Sequence, residues 1–243
     1  MTNARKNVVV TGGSAGIGLQ ICKDLLEEGY QVISLARRKS PIDDSRLTSF
    51  EADLTDPIET EAAAKLIASS FGVCNIVHNA GVIRAALIEA VSHEDLIALT
   101  NLHIGAALTL VQHCLPAMKA EGFGRIVNMG SRAMVGLATR TAYSGTKAAI
   151  AAITKTWALE LGPHGITANT VAPGPVVTDM FTDVIPEESD KAHALAGSLP
   201  VRRLGQPADV SHAVKFFLSP QSGWITGQTL FVCGGSSIGS LQL

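Results

Sequence analysis

The chain has 243 residues, of which 47% are apolar and 16% charged, against roughly 25% charged in an ordinary soluble domain. That composition excludes disorder, and the length suits one α/β domain of roughly 250 residues, so a single domain over 1–243 is expected. Nineteen Lys and Arg against 21 Asp and Glu leave a net charge of −2 without a basic block or acidic tail, so neither nucleic acid nor an anionic membrane is an expected partner.

Short apolar runs alternate with longer amphipathic ones, the pattern of βαβ units in a doubly wound, mainly parallel sheet. The first strand, Asn7 to Thr11, enters Thr11-Gly12-Gly13-Ser14-Ala15-Gly16-Ile17-Gly18 and then a helix, Gly16 to Glu28. Gly12 permits a tight turn, Gly16 lets backbone approach a pyrophosphate, and Gly18 lets helix pack on strand. The helix N-terminus adds N–H donors, so the loop, Ser14 and Ile17 included, is a dinucleotide-binding candidate.

The second strand, Gln31 to Ala36, ends in Arg37-Arg38-Lys39. A free ribose 2′-hydroxyl calls for a carboxylate at this point, whereas two guanidiniums suit a 2′-phosphate, so NADP(H) is expected over NAD(H). The third strand, Leu47 to Ala52, closes on Asp53-Leu54, where a carboxylate suits the adenine amino group. A helix follows from Pro57 to Phe71, and the fourth strand, Asn75 to His78, closes on Asn79-Ala80-Gly81. Ligands of doubly wound sheets bind outside such strand ends. Ser92 and Asp95 mark the start of a long helix, His93 to Ala120.

The strand Arg125 to Met129 leads to Ser131, a hydroxyl suited to donate to an oxygen gaining negative charge. Tyr143-Ser144-Gly145-Thr146-Lys147 then begins a helix running to Leu161. Spacing of four places Tyr143 and Lys147 on one face, and the ammonium is expected to lower the phenol from its usual pKa of about 10. A strand, Thr167 to Ala172, precedes the irregular stretch Thr178 to Gln206, whose length suggests a lid. A helix, Pro207 to Leu218, and a strand, Thr229 to Cys233, complete the pattern.

Cys22, Cys74, Cys114 and Cys233 lie far apart, without zinc-ligand or disulfide spacing. They read as buried, reduced thiols of a cytoplasmic protein, and no metal is expected. Six residues precede the first strand, and no uninterrupted apolar run approaches the ~18 residues of a membrane span, so neither leader nor membrane segment is expected.

The ordered set of motifs resembles the compact branch of the short-chain dehydrogenase/reductase family over essentially the whole chain. It comprises TGxxxGxG at Thr11 to Gly18, Asp53-Leu54, His78-Asn79-Ala80-Gly81, Asn101, Ser131, Tyr143 with Lys147, Pro173-Gly174 followed by Val176 and Thr178, and Ile225-Thr226-Gly227-Gln228. The resemblance implies a Rossmann-type fold and hydride transfer between NADP(H) and a carbonyl or secondary alcohol. It casts Tyr143 as general acid/base, Lys147 as its activator and holder of the nicotinamide ribose, and Ser131 as the carbonyl-orienting group. Asn101 would break the helix locally and keep a water connecting Lys147 to solvent, and Val176 and Thr178 would contact the carboxamide. It also implies a homotetramer or homodimer, consistent with helices that are apolar on more than one face.

Several positions depart from that pattern. The segment between serine and tyrosine is one residue short, which leaves Gly130 or Ser131 in the slot, and only Ser131 has a hydroxyl. Ala15 stands where a basic residue is frequent, and Cys233 replaces an Asp. Within the family, the chain resembles the 3-oxoacyl carrier-protein reductases in size, glycine loop and closing motifs. However, Gly122 and His164 occupy the places of their carrier-docking arginines. Arg84, Arg132 and Arg140 border the expected pocket, so an anionic or polyol-like substrate is one expectation and plain surface charge is another. An NAD-dependent polyol dehydrogenase, a nucleotide-sugar epimerase and a non-catalytic dinucleotide sensor remain alternatives.

Overall fold

Runs rich in β-branched side chains become seven strands in the computed structural model, which describes residues 3–238. These are β1 (Asn7–Thr11), β2 (Gln31–Ala36), β3 (Leu47–Glu51), β4 (Asn75–His78), β5 (Gly124–Met129), β6 (Ile166–Pro173) and β7 (Thr229–Val232). They form one sheet in the order β3-β2-β1-β4-β5-β6-β7, every neighbouring pair being parallel. Each strand lies within one residue of its sequence expectation. Parallel neighbours need crossovers, and all except the one between β2 and β3, the helix-free residues 37–46, contain helices: α1 (Gly16–Glu27), α2 (Pro57–Ser70), α3 (His93–Thr100), α4 (Ala106–Glu121), α5 (Thr141–Leu161), α6 (Asp179–Thr182), α7 (Asp190–Ser198) and α8 (Pro207–Leu218).

Both faces of the sheet are covered. Alternation along β1 sends Val9 into one core and Val8 and Val10 into the other. In the first core Ile33, Ile76 and Ile126 meet Ile67 of α2, Leu110 and Met118 of α4, and Ile150 and Trp157 of α5. In the second, Val32, Val77 and Val127 meet Ile21 and Leu25 of α1 and Val214 and Phe217 of α8. Helix starts follow local chemistry: Asp56 accepts from the Ile58 N–H at 2.7 Å, and Ser92 accepts from the Asp95 N–H at 3.0 Å.

Two expectations are corrected. The single helix expected from His93 to Ala120 is α3 and α4 joined by a π turn, Asn101–Gly105, in which the Ala106 N–H donates to the Asn101 carbonyl. One extra residue in a turn leaves no mark in a 3.6-residue pattern. The stretch Thr178 to Gln206 is not irregular throughout, since it contains α6 and α7; helices of four and nine residues are too short to show periodicity. The helical run His93–Glu121 is also long and apolar enough to cross a membrane by length and composition. Its inner side, including Leu99, Leu110 and Met118, is buried in this fold.

Candidate active site

The connections from β1 lead outward to β2 and β3, while those from β4 lead the other way. Such a reversal opens a crevice at the carboxyl ends of the two strands. Asn79 Nδ2 donates to the Thr11 carbonyl at 3.1 Å and the Ala80 N–H to Thr11 Oγ1 at 2.9 Å, which ties the two ends together.

The glycine loop is pressed against this junction. A Cβ on Gly18 would stand 2.1 Å from the Gly12 carbonyl oxygen and 2.5 Å from Asn79 Nδ2, and Gly12 itself has φ 70°. Ala15 offers α1 no side-chain cap, so the first N–H groups of that helix face the crevice without a competing side chain. Ser14 is half-buried, and Ile17 packs on the second core.

Arg37, Arg38 and Lys39 follow β2 as exposed residues. The carboxylate of Asp53 lies below its usual range, chiefly because its Oδ1 accepts from the Thr55 N–H at 2.9 Å, with a further pull from Arg37. Leu54 is buried.

At the opposite end, a Cβ on Gly174 would lie 2.7 Å from the Cys233 Cα, so glycine after Pro173 permits backbone contact there. Val176 is buried and bridges Gly205. Thr178 caps α6, and its methyl would be 3.3 Å from a Cβ on Gly16, so the 178–206 segment begins against the glycine loop.

Ser131, Tyr143 and Lys147 converge where β5 ends and α5 begins. Tyr143 is half-buried, and burial raises its phenol above the usual value, opposed by a hydrogen bond from Ser131 and by the charge of Arg140. Lys147 is 3% exposed and donates to the Met129 carbonyl at 2.7 Å. Burial pushes its pKa down to about 7. The expectation that the ammonium lowers the phenol is therefore corrected. Lys147 Nζ lies 5.8 Å from the Tyr143 ring centroid, and the net shift of the phenol is upward. Desolvation of the phenol outweighs the charges around it.

Asn101 stands at the break that was expected in this helix. It opens the π turn, as a local break in the helix requires, but its Nδ2 donates to the Thr55 carbonyl at 3.1 Å. Two residues on, a rotation of about 200° presents the other side of the helix, and His103 is the side chain that reaches Lys147 and Tyr143. Its ring meets that of Tyr143 edge-on, with centroids 5.6 Å apart. His78 lies below, bonded to Thr11 Oγ1 at 3.1 Å and the Leu102 carbonyl at 3.0 Å, with its pKa held down to about 3 by burial. The sequence signal for His103 was a single polar residue between Leu102 and Ile104, easily passed over beside Asn101.

The three arginines separate. Arg84 pairs with Asp95. Arg132 donates to the carbonyls of Ser236 and Gly136. Arg140 follows Thr139, whose φ of 64° is rare for a β-branched residue, and it is the one whose charge reaches Tyr143. A separate pocket of about 340 Å³ lies within the 178–206 region, lined by Glu187, His193, Arg202 and Arg203 among others, and contains none of Ser131, Tyr143 or Lys147. Among the described residues no cluster of metal-ligating side chains occurs.

A family model described as Enoyl-(Acyl carrier protein) reductase matches residues 12–237. The chain is 35% identical over 240 residues to the 3-oxoacyl-[acyl-carrier-protein] reductase FabG of Vibrio cholerae, covering 95% of this chain and 96% of that one. A solved short chain dehydrogenase/reductase family protein superposes with a TM-score of 0.84 at 30% identity, covering 98% and 100% of the two chains. A blue fluorescent protein from a metagenomic library, solved in complex with NADPH, superposes with a TM-score of 0.82 at 30% identity, covering 95% and 97%.

Proposed function

The chain belongs to the short-chain dehydrogenase/reductase family of oxidoreductases, and from that premise we propose that it is an NADP(H)-dependent enzyme interconverting a carbonyl and a secondary alcohol. The observation that carries this reading is the meeting of Ser131, Tyr143 and Lys147 at the sheet edge beside the glycine cradle.

The residues fit a dinucleotide. The glycine loop Gly12–Gly18 and the uncapped start of α1 suit a pyrophosphate, Asp53 suits the adenine amino group, and Asn79, Gly81, Pro173, Gly174, Val176 and Thr178 are assigned to the nicotinamide half. When bound, the nicotinamide group supplies the hydride in reduction and accepts it in oxidation. Arg37 and Arg38 support NADP(H): each guanidinium is exposed at the end of β2, where a 2′-phosphate would lie. The NADPH complex of a structural relative supports the same choice.

The chain's own groups then handle the oxygen and the proton. The Ser131 hydroxyl donates to the carbonyl oxygen and steadies the charge that grows on it. The Tyr143 phenol protonates that oxygen as it becomes an alkoxide, or takes the alcohol's proton in the reverse direction. Because burial raises the phenol, it holds its proton at neutral pH, the form that reduction requires. Lys147, fixed on the Met129 carbonyl, sets a positive charge beneath the site whenever it is protonated.

Arg140 favours a substrate with an anionic group near its carbonyl. Segment 178–206 is assigned as a lid, supported by the contact of Thr178 with Gly16. Exposed Leu96, Ile97 and Leu108 on α3 and α4, with Leu159 on α5, support a homotetramer or homodimer, and four buried free thiols support a cytoplasmic location.

NADPH oxidation followed across ketoacyl thioesters, keto acids, keto-sugars and aryl ketones tests this reading. Turnover of at least one class, with weaker use of NADH, is expected. Indifference to every carbonyl would overturn it.

A further inference from the structure

His103 is fully buried, yet its Nε2 has no hydrogen-bond partner. Leaving a buried polar atom unpaired costs on the order of 1–3 kcal/mol, so its position asks for an explanation. The ring's tautomer follows from its surroundings. Nδ1 lies 2.9 Å from Thr146 Oγ1. That hydroxyl has one hydrogen, already directed to the Ala142 carbonyl at 2.9 Å, with the Tyr143 carbonyl at 3.1 Å beside it. Nδ1 therefore donates to Thr146, and Nε2 carries a bare lone pair.

That lone pair faces a defined place. A Cβ on Gly81 would stand 3.1 Å from His103 Nε2 and 3.4 Å from Lys147 Nζ, so the two nitrogens converge above this glycine. Only glycine at residue 81 leaves that space open. The titratable groups around the imidazole are Lys147 and Tyr143 of α5 and His78 of β4. Both ring nitrogens of His78 are already engaged, with Thr11 Oγ1 and the Leu102 carbonyl, so beside the Met129 carbonyl that Lys147 already holds, the acceptor left near Lys147 is the His103 lone pair.

We propose that His103 is a positioning residue of the catalytic site: its Nε2 lone pair accepts a hydrogen from one water above Gly81 that in turn accepts from the Lys147 ammonium, and its ring, packed at right angles to that of Tyr143, fixes the phenol. The imidazole neither gives up nor gains a proton. It stabilises the protonated form of Lys147 and holds that charge under the phenol. The inference rests on the catalytic reading of Tyr143 and Lys147, and Thr146 enters as the group that fixes the tautomer.

Two variants separate this role from packing. His103→Gln keeps an acceptor at the reach of Nε2, whereas His103→Leu keeps bulk and removes the acceptor. In cofactor-free protein labelled with 13C at lysine Cε, the Lys147 signal, identified by its loss in Lys147→Arg, gives the titration midpoint directly. His103→Leu is expected to lower that midpoint by about one pH unit, with His103→Gln returning most of the shift. In turnover, His103→Leu should move the alkaline limb of the kcat profile to lower pH and lower kcat about tenfold at neutral pH, with rescue by Gln. Equal midpoints in wild type, Leu and Gln variants would overturn the proposal. Because the titration needs no turnover, a wild-type protein inactive on every carbonyl would refute the catalytic reading separately.

Discussion

The tip of β2 and the start of α5 place cations by opposite means. Arg37 and Arg38 stand exposed just past a buried strand end, with water around both guanidiniums. Lys147 is withdrawn from water, anchored on a carbonyl and left with a pKa of about 7. The contrast separates two tasks. Selecting a phosphate needs only a fixed charge in reach, and each exposed contact contributes about 1 kcal/mol. Moving a proton needs a group whose charge state is balanced near neutrality, and burial is what supplies that balance.

The sharpest way to break the comparison is at the buried end. Tyr143→Phe should lower kcat about a thousandfold while leaving NADPH affinity unchanged, as read by steady-state kinetics and fluorescence titration. The glycine cradle lies between the two regions, buried like one and ligand-facing like the other. Gly18→Ala would drive a Cβ into the Gly12 carbonyl, so a loss of about 2 kcal/mol in urea unfolding and weaker binding of both dinucleotides are expected.

At the exposed end, Arg37→Ala with Arg38→Ala should weaken NADPH about tenfold to a hundredfold and leave NADH nearly untouched. A similar loss for both cofactors would contradict their role as 2′-phosphate readers. The most gradual effect, spread over several pH units, concerns the histidine beneath the site. His78 stays neutral in the fold down to about pH 3, whereas in the unfolded chain it gains a proton below about pH 6.5. Its folded pKa is depressed, so the unfolded state binds more protons across that window and stability falls as pH drops, by up to about 1.4 kcal/mol per unit. Urea midpoints between pH 6.5 and 4 should fall less steeply in His78→Gln than in wild type.

Strands were legible in the sequence because β-branched runs such as Val8–Val10 have both faces buried and admit few polar residues. The glycine loop was legible because Gly12 and Gly18 answer local steric demands. Spacing of four was enough to pair Tyr143 with Lys147. The direction in which the phenol shifts was not, since it depends on how much water α5, β5 and their neighbours exclude. The π turn left no mark in the hydrophobic pattern, and only the family resemblance marked Asn101 as a break: the turn changes which residues share a face, and thereby turns Asn101 toward Thr55 and His103 toward Lys147. The pairing of Arg84 with Asp95 of α3 was not legible either. Such long-range neighbours leave no trace in local pattern.

The all-parallel sheet also sets an order of construction. No two of its strands can zip together through a tight turn, so each pairing waits for the crossover between them, a topology that folds slowly. β7 arrives last, and its residues brace the far wall of the crevice: the Gly174 N–H donates to the Val232 carbonyl at 3.0 Å, and the Thr170 N–H to the Gln228 carbonyl at 2.8 Å. On the ribosome the phosphate cradle of β1 and α1 emerges early, while the wall that bears Gly174 and Val176 gains its final support only when β7 docks. A stalled or truncated nascent chain is thus expected to leave a half-built crevice at the nicotinamide end.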